Sequence, residues 1–385
     1  MARAGITFNL GQGGLGQPAQ GLDYVRGAIF YGTAPGSFAT TATQAVFSVQ
    51  DAESKGIEND YSDETKPAAT YEITTLGATG DTIQFTVTEP NPNSTTTVVD
   101  LGTYTKVSGD STIALLGASL AAFINAGTYS HGYTASFSTA TLTITGREGL
   151  GISLNTGTPF AVTIVGTIAG TLTQPASATA GVYSKKALWH YHVSEFFRAN
   201  PQGKLWVNFT AAPTSTFAEI TTLQNAADGE CRQIGIYNTT ARSAAQVVAD
   251  TTAIQAQGVS LASAYKWLTF IYAPNIAAIT DLSTLQNGQS SSNYLVNVNI
   301  AQDGEAAGAQ LYVNSGVSVT TIGNELGTSS AAAVSQNIGE LGQFNVTNGT
   351  ELATPAFSNG QLVSALSSSL LDQLDGYRYT FLVTY

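Results

Sequence analysis

The strongest constraint on the fold is an interruption. Apolar runs spaced as strands and helices open at residues 24–57, break off, and resume over 183–385, while the Thr-rich stretch 68–180 between them follows a different pattern. This predicts an α/β (α+β) core, a mixed sheet flanked by helices, split by a β-rich inserted domain. The expected division is an extended N-terminal arm over 1–22, a discontinuous core from 23–67 and 181–385, and the insert over 68–180.

The first core piece reads as a strand over 26–32, a turn at Ala34-Pro35-Gly36, a strand over 44–49 and a short helix to Gly56, with Asp51 and Glu53 in its first turn, where the helix dipole favours anions. In the insert, Ile83, Phe85 and Val87 alternate with polar residues, as do Leu142 with Ile144 and Phe160 with Val162 and Ile164. Ile113, Leu116, Leu120, Phe123 and Ile124 keep helical spacing. Asp110 or Ser111 is the expected cap of that helix and Gly127 its end. The expected order is β-β-β-α-β-β-β. After 183, helices are expected over 185–199 (stopped by Asn200-Pro201), 216–226 and 243–257, with strands over 205–209, 233–237, 267–272 and 294–300. Several of these strands are unbroken apolar runs, as in a sheet covered on both faces. A Gly/Ser/Ala stretch at 314–340 reads as a closely packed helix. A last helix through Leu362, Leu366, Leu370 and Leu374 leads to a final strand over 377–384.

Composition narrows the partners. Only 10% of residues are charged and the net charge is −12, so nucleic acid and anionic membrane surfaces are unfavoured partners. The one cysteine, Cys231, excludes an internal disulfide framework and is expected as a buried thiol. The start, MARAGITFNL, is not a secretory signal, and no apolar run approaches the ~20 residues of a membrane span. A soluble protein that folds in a cytoplasm is expected.

Candidate chemistry is sparse. Gly11-Gln12-Gly13-Gly14-Leu15-Gly16 matches a dinucleotide fingerprint in letters, but no helix pattern follows to meet a pyrophosphate. His190 and His192 would share a face on a strand, but on the expected helix they diverge by ~200° and cannot chelate together. With His131 the only other histidine, no metal site is expected. Glu58, Asp60, Asp63 and Glu64 read as a solvated acidic loop, with a weak Ca²⁺ site as the alternative. Trp189, Tyr191, Phe196 and Phe197 crowd one helix, which is expected to be buried. No catalytic residue and no cofactor is expected.

At the N-terminus, Ile6, Phe8 and Leu10 alternate with strand period ahead of GQGGLGQPAQG, which reads as an arm. ITFNLGQGGLGQPAQGLDYVRGAIFYGTAP, FSVQDAESKGI, GDSTIALLGASLAAFINA with SFSTATLTITGREGLGISLN, and ALWHYHVSEFFRANPQGKLWVNF together resemble, in order, the elements of contractile tail sheath proteins of bacteriophages and related injection systems. The sheath-like families of Bacteroidetes phages are the most similar. The resemblance implies a structural protein of the virion tail, assembled in the host cytoplasm, whose subunits stack in rings as a helical homo-oligomer around a tail tube protein. Baseplate and tail terminator proteins would be further partners. It also implies that Ile6, Phe8 and Leu10 add a strand to a neighbour's sheet, that Gly11, Gly13, Gly14 and Gly16 form the joint, and that Tyr379, Phe381 and Val383 are a candidate C-terminal interchain strand. Sheath families usually carry more chain after that strand than this sequence does. The alternative is a baseplate, fibre or cell-surface adhesin component with 68–180 as its binding module.

Overall fold

The computed structural model describes residues 24–90, 96–288, 293–303, 318–331 and 355–381. In chain order the strands and helices are β1 (Val25–Tyr31), β2 (Thr43–Val46), α1 (Val49–Ser54), β3 (Ala68–Thr75), β4 (Thr82–Pro90), β5 (Thr96–Thr105), α2 (Ile113–Ala126), α3 (Thr128–His131), β6 (Thr134–Ser138), β7 (Thr141–Thr145), β8 (Phe160–Val165) and β9 (Ala169–Thr173). They continue with α4 (Lys185–Ala199), β10 (Lys204–Thr210), α5 (Glu219–Ala226), β11 (Gln233–Ala241), α6 (Ala244–Ser263), β12 (Thr269–Asn275), β13 (Val296–Asn299), β14 (Ala301–Asp303), α7 (Ile322–Ala331), β15 (Pro355–Phe357), α8 (Ser368–Gly376) and β16 (Tyr379–Thr380). The protein is mixed α/β and divides into two compact units. Their described residues are 24–59, 186–288, 293–303, 318–331 and 355–381 for the first, and 60–90 and 96–185 for the second.

The first unit is built on a seven-stranded sheet in the order β16-β13-β12-β11-β1-β10-β2. All neighbours are parallel except β2, which runs antiparallel to β10. Taken in chain order, β1, β10, β11, β12 and β13 lie as 2-1-3-4-5, a doubly wound arrangement. β1 lies inside the sheet, between β11 and β10, and all seven of its residues are buried, Arg26 included. On one face Ile29, Ile236 and Tyr272 meet Ile220, Leu223 and Ile254 of α5 and α6. On the other, Phe30 stacks on Trp189 and His192 of α4, and Gly235 lies under Ile322 and Leu326 of α7. A Cβ at Gly323 would stand 2.2 Å from the His192 carbonyl oxygen, and one at Gly327 2.5 Å from that of Phe196. Two glycines one turn apart therefore let α7 lie backbone-to-backbone on α4.

Three expectations in this unit change. Of the 314–340 stretch, the described helix is α7 alone, since residues 314–317 and 332–340 lie outside the described residues. The last helix is broken: Val363–Ala365 is a single 3-10 turn, and Ser367, accepting from Leu370 N, starts α8 afresh. Described strand after α8 is limited to Tyr379–Thr380, because Tyr377 caps the helix and Arg378 takes a left-handed φ of 61°.

The second unit has a four-stranded sheet, β6-β7-β3-β9, and a three-stranded one, β5-β4-β8, all antiparallel. Their inner faces share one core with α2, in which Tyr71, Ile83, Phe85, Leu120, Ile144 and Phe160 are buried. The order is β-β-β-α-α-β-β-β-β, one short helix and one strand more than expected. Thr112, not Asp110 or Ser111, caps α2 by accepting from Leu115 N. The Asp110 carboxylate instead takes Tyr104 Oη at 2.7 Å, Ser119 Oγ at 2.7 Å and Val107 N at 3.0 Å. Gly127 does end the helix, in a right-handed conformation.

Candidate assembly edges

Every open sheet ends in strands with unpaired N–H and C=O groups, which can template association with another chain. Where the chain closes these edges, and where it does not, locates the surfaces able to join copies. In the first unit, β2 is one edge. Phe209 N bonds Ala42 O, so alternate residues of β2 face β10, and Ala45 and Phe47 face outward. The Ala45 carbonyl takes Lys55 Nζ at 2.7 Å, and the Asp51 carboxylate takes Phe47 N at 3.0 Å. Lys55 and Asp51 are themselves paired at 2.8 Å on α1. That helix is held by Ser48, which accepts from Asp51 N, so its ion pair stands as a lid on the outward groups of β2.

The edges of the second unit are closed by carboxamides and bulges. The Asn125 side chain donates to Ala135 O at 2.8 Å and accepts from Ala135 N at 2.7 Å, matching both backbone groups of an outward residue of β6. Gln174 does the same to Phe160 of β8, at 2.9 and 3.0 Å. β5 bulges between the pairs Gln84–Thr103 and Thr86–Asp100, where Asp100 accepts from Gly102 N. The pairing of β9 with β3 shifts register between Ile73 and Thr75.

The β16 edge is different. Tyr379 and Thr380 pair with Val298 and Asn299 of β13 on one side, and among the described residues no bulge or side-chain clamp closes the other. The strand is anchored from within: Tyr379 is buried and its Oη donates to Gln286 O at 2.7 Å, Thr380 Oγ1 donates to Asn297 Oδ1 at 2.6 Å, and Phe381 packs on Phe357 with ring centroids 5.3 Å apart. Burial, with Tyr377 nearby, pushes the Tyr379 phenol up to about 12, so it stays a neutral donor at any physiological pH. Beneath this edge, Glu325 of α7 receives the side-chain amides of Asn297 and Asn299. Burial raises its carboxyl above the ordinary range, and the two amide donors oppose that.

Of the residues expected at an interchain site, Tyr379 and Phe381 lie at this edge, paired and packed within their own chain. Ile6, Phe8, Leu10, Gly11, Gly13, Gly14, Gly16 and Val383 lie outside the described residues. The chain enters the description at Tyr24, immediately before β1, which lies between β11 and β10.

The remaining candidate residues find local roles. His192 is buried on α4 with neither ring nitrogen hydrogen-bonded, while His190 pairs with Glu53 at 3.0 Å. Cys231 is buried, and burial with Glu230 nearby pushes its thiol up to about 12. The acidic loop is exposed at Glu58 and Asp63, as expected, but two of its carboxylates are engaged within the fold. Asp63 accepts from Ser184 Oγ at 2.6 Å and Lys185 N at 3.0 Å, and Glu64 from Gly149 N at 2.9 Å and Gly151 N at 2.5 Å. These carboxylates tie the two ends of the second unit's chain and its 149–151 turn. Among the described residues no group of three or more His, Cys, Asp or Glu side chains could hold a metal ion, and no helix is long and apolar enough to cross a membrane. Compared with known proteins, the sequence matches no protein-family model and no curated protein.

Proposed function

We propose that the chain is a structural subunit of a contractile tail sheath, which polymerises helically around a tail tube and drives injection by contraction. The supporting observation is the unequal closing of its sheet edges: clamped or bulged at β2, β5, β6, β8 and β9, unclamped at β16 beside the C-terminal residues. In this reading a strand carrying Ile6, Phe8 and Leu10 adds to the free side of a neighbour's seven-stranded sheet. Main-chain hydrogen bonds supply the affinity and alternate side chains the register. Gly11, Gly13, Gly14 and Gly16 form the joint, since glycine backbone bends at little steric cost. Tyr379, Phe381 and Val383 form the receiving edge or are themselves exchanged. Contraction draws on the difference between two packings of the same subunits and requires no cofactor. Partners are further copies of the chain, the tail tube protein, and baseplate and terminator proteins, in the virion tail.

Electron microscopy of the full chain over a range of concentrations tests this. Hollow helical tubes are expected from the full chain. A chain lacking residues 1–16 is expected to stay folded and monomeric. Tubes from the shortened chain would overturn the arm assignment, and a full chain that never assembles would overturn the sheath reading.

A further inference from the structure

In the first unit, every exposed large hydrophobic side chain among the described residues lies at one end of the sheet. Tyr24 precedes β1, Trp267 precedes β12 and Tyr294 precedes β13. Phe47 follows the antiparallel β2, and α6 runs back against the strands to deliver Val259 and Tyr265 at the same end. Register aligns them. Arg26 pairs with Gln233 and Gln233 with Thr269, so two residues earlier Tyr24 and Trp267 stand level. Val296 pairs with Phe270, which puts Tyr294 level with Leu268. Val25 pairs with Lys204, whose Nζ lies 5.9 Å from the Phe47 ring centroid. Exposures along this rim run from 41% at Tyr24 to 66% at Tyr265 and Tyr294. At ~150–250 Å² per aromatic side chain the rim offers on the order of 600 Å², the upper end of what monomeric proteins leave open.

Two observations select what covers it. The first is where the chain outside the described residues is tethered: residues 1–23 lead directly into Tyr24, itself part of the rim. From β1 the rim runs three strand spacings to β13 and two to β2, about 14 Å and about 10 Å. Leu15 and Leu10 stand nine and fourteen residues before Tyr24. Those lengths span up to ~30 Å and ~46 Å of extended chain, so both side chains reach all of the rim with slack for a turn. A short tether presents its segment at a millimolar effective concentration, which a second copy in dilute solution does not match. The second observation is chemical. Residues 1–22 carry Ile6, Phe8, Leu10, Leu15 and Leu22 and a single charged side chain, Arg3. At the β2 end of the rim, Lys55 and Lys204 lie over the Phe47 ring and are already paired with Asp51 and Glu230, so an apolar segment seats there without leaving either cation unpaired.

We infer that, in the unassembled subunit, the chain's own residues 1–22 lie along this rim and bury Ile6, Phe8 and Leu10 against its aromatic side chains. The same three side chains cannot then enter a neighbour's sheet, so the contact restrains the arm until another copy offers a strand edge. Apolar cover is given up at the rim and main-chain hydrogen bonds are gained at the edge. A subunit therefore joins by exchanging one contact for another, and free subunits do not present a loose strand to each other. The contact itself is independent of the sheath reading; its role in delaying assembly rests on that reading.

The test compares the full chain with a full chain carrying Ile6→Ser, Phe8→Ser and Leu10→Ser, both dilute enough to sediment as monomers. Acrylamide quenching of Trp267, read as the difference from Trp267→Phe in each background, reports the cover. Trp267 is expected to be shielded in the wild type and, in the arm variant, to be quenched as its 63% exposure indicates. Equal quenching in the two chains would overturn the contact. Shielding that rises with protein concentration would assign the rim to a second copy and overturn it as well. Conversely, Trp267→Ser with Tyr294→Ser, both exposed and checked for folding by circular dichroism, should release the arm. Chymotrypsin is then expected to cut after Phe8 about 10-fold faster or more, the scale of a lost hot spot; cleavage at the wild-type rate would sink the proposal. The same rim variant should assemble after a shorter lag than wild type in light scattering, and an unchanged lag would remove the restraining role. A wild-type chain that never assembles while its Trp267 is shielded by the arm would overturn the sheath reading and leave the contact standing.

Discussion

His192 should make the protein lose stability in mild acid, by an amount its surroundings set. The side chain is 2% exposed, beneath α7 on one face of the sheet, with Tyr237 4.4 Å, Tyr191 5.3 Å and Phe30 6.4 Å away between ring centroids. Burial among these rings disfavours the imidazolium and pulls the ring down to about 3. The Val319 backbone opposes this, though neither ring nitrogen reaches hydrogen-bonding geometry. Of the described rings packed on it, Tyr191 and Tyr237 are titratable, and both stay neutral in acid. The folded ring therefore refuses a proton that the unfolded ring, near 6.5, accepts. Its contribution is fully present above pH 6.5 and is lost as pH falls from there toward about 3. At 1.36 kcal/mol per pH unit the whole interval is worth roughly 5 kcal/mol, an upper bound if the site relaxes. Urea unfolding of wild type and His192→Phe between pH 8 and pH 4 isolates it, since the carboxylates titrate alike in both. The stability difference should shift in favour of the variant by about 1.4 kcal/mol per pH unit below pH 6. Parallel curves would refute the argument, because they require an imidazole that charges as easily folded as unfolded.

Gly323→Ala should cost about 2 kcal/mol or more in thermal unfolding, since the new methyl meets the His192 carbonyl and backbone cannot step aside. Thr112→Ala should cost about 1 kcal/mol, the ordinary worth of a helix N-cap. Asp110→Ala should cost more than Thr112→Ala, because it strands three donors and not one. Asn125→Ala should lose about 1–2 kcal/mol for its two hydrogen bonds. It should also make the protein associate at lower concentration in light scattering, because it opens the β6 edge at Ala135.

Much of the architecture is legible in the sequence because local pattern and tertiary burial agree. α4 spans Lys185–Ala199 as its aromatic spacing and the Asn200-Pro201 stop indicate, and β12 is the buried run that its sequence indicates. The extra strand of the second unit is harder to see. β6 (TASFS) and β9 (AGTLT) hold few strong apolar residues, and none of their residues is fully buried. Asp110 looks like a helix cap until Tyr104 and Ser119 claim it from outside the cap position. The acidic loop looks solvated because Gly149, Gly151 and Ser184, which occupy its oxygens, lie some 85 to 121 residues away in the chain. The edge clamps are the least legible of all. Asn125 and Gln174 have no special sequence context, and only the register of β6 and β8 reveals what their amides face.

Those clamps bear on how the two units differ. An antiparallel sandwich of Thr-rich strands with four open edges has every reason to aggregate, and charge is scarce in this chain as a means of preventing it. Side-chain amides solve this within the second unit: Asn125 and Gln174 each offer one donor and one acceptor, the same pair a neighbouring strand would offer. The Lys55–Asp51 pair does the equivalent at β2. Among the described edges of the seven-stranded sheet and of the second unit's two sheets, β16 is the one at which an added strand would displace no side-chain clamp.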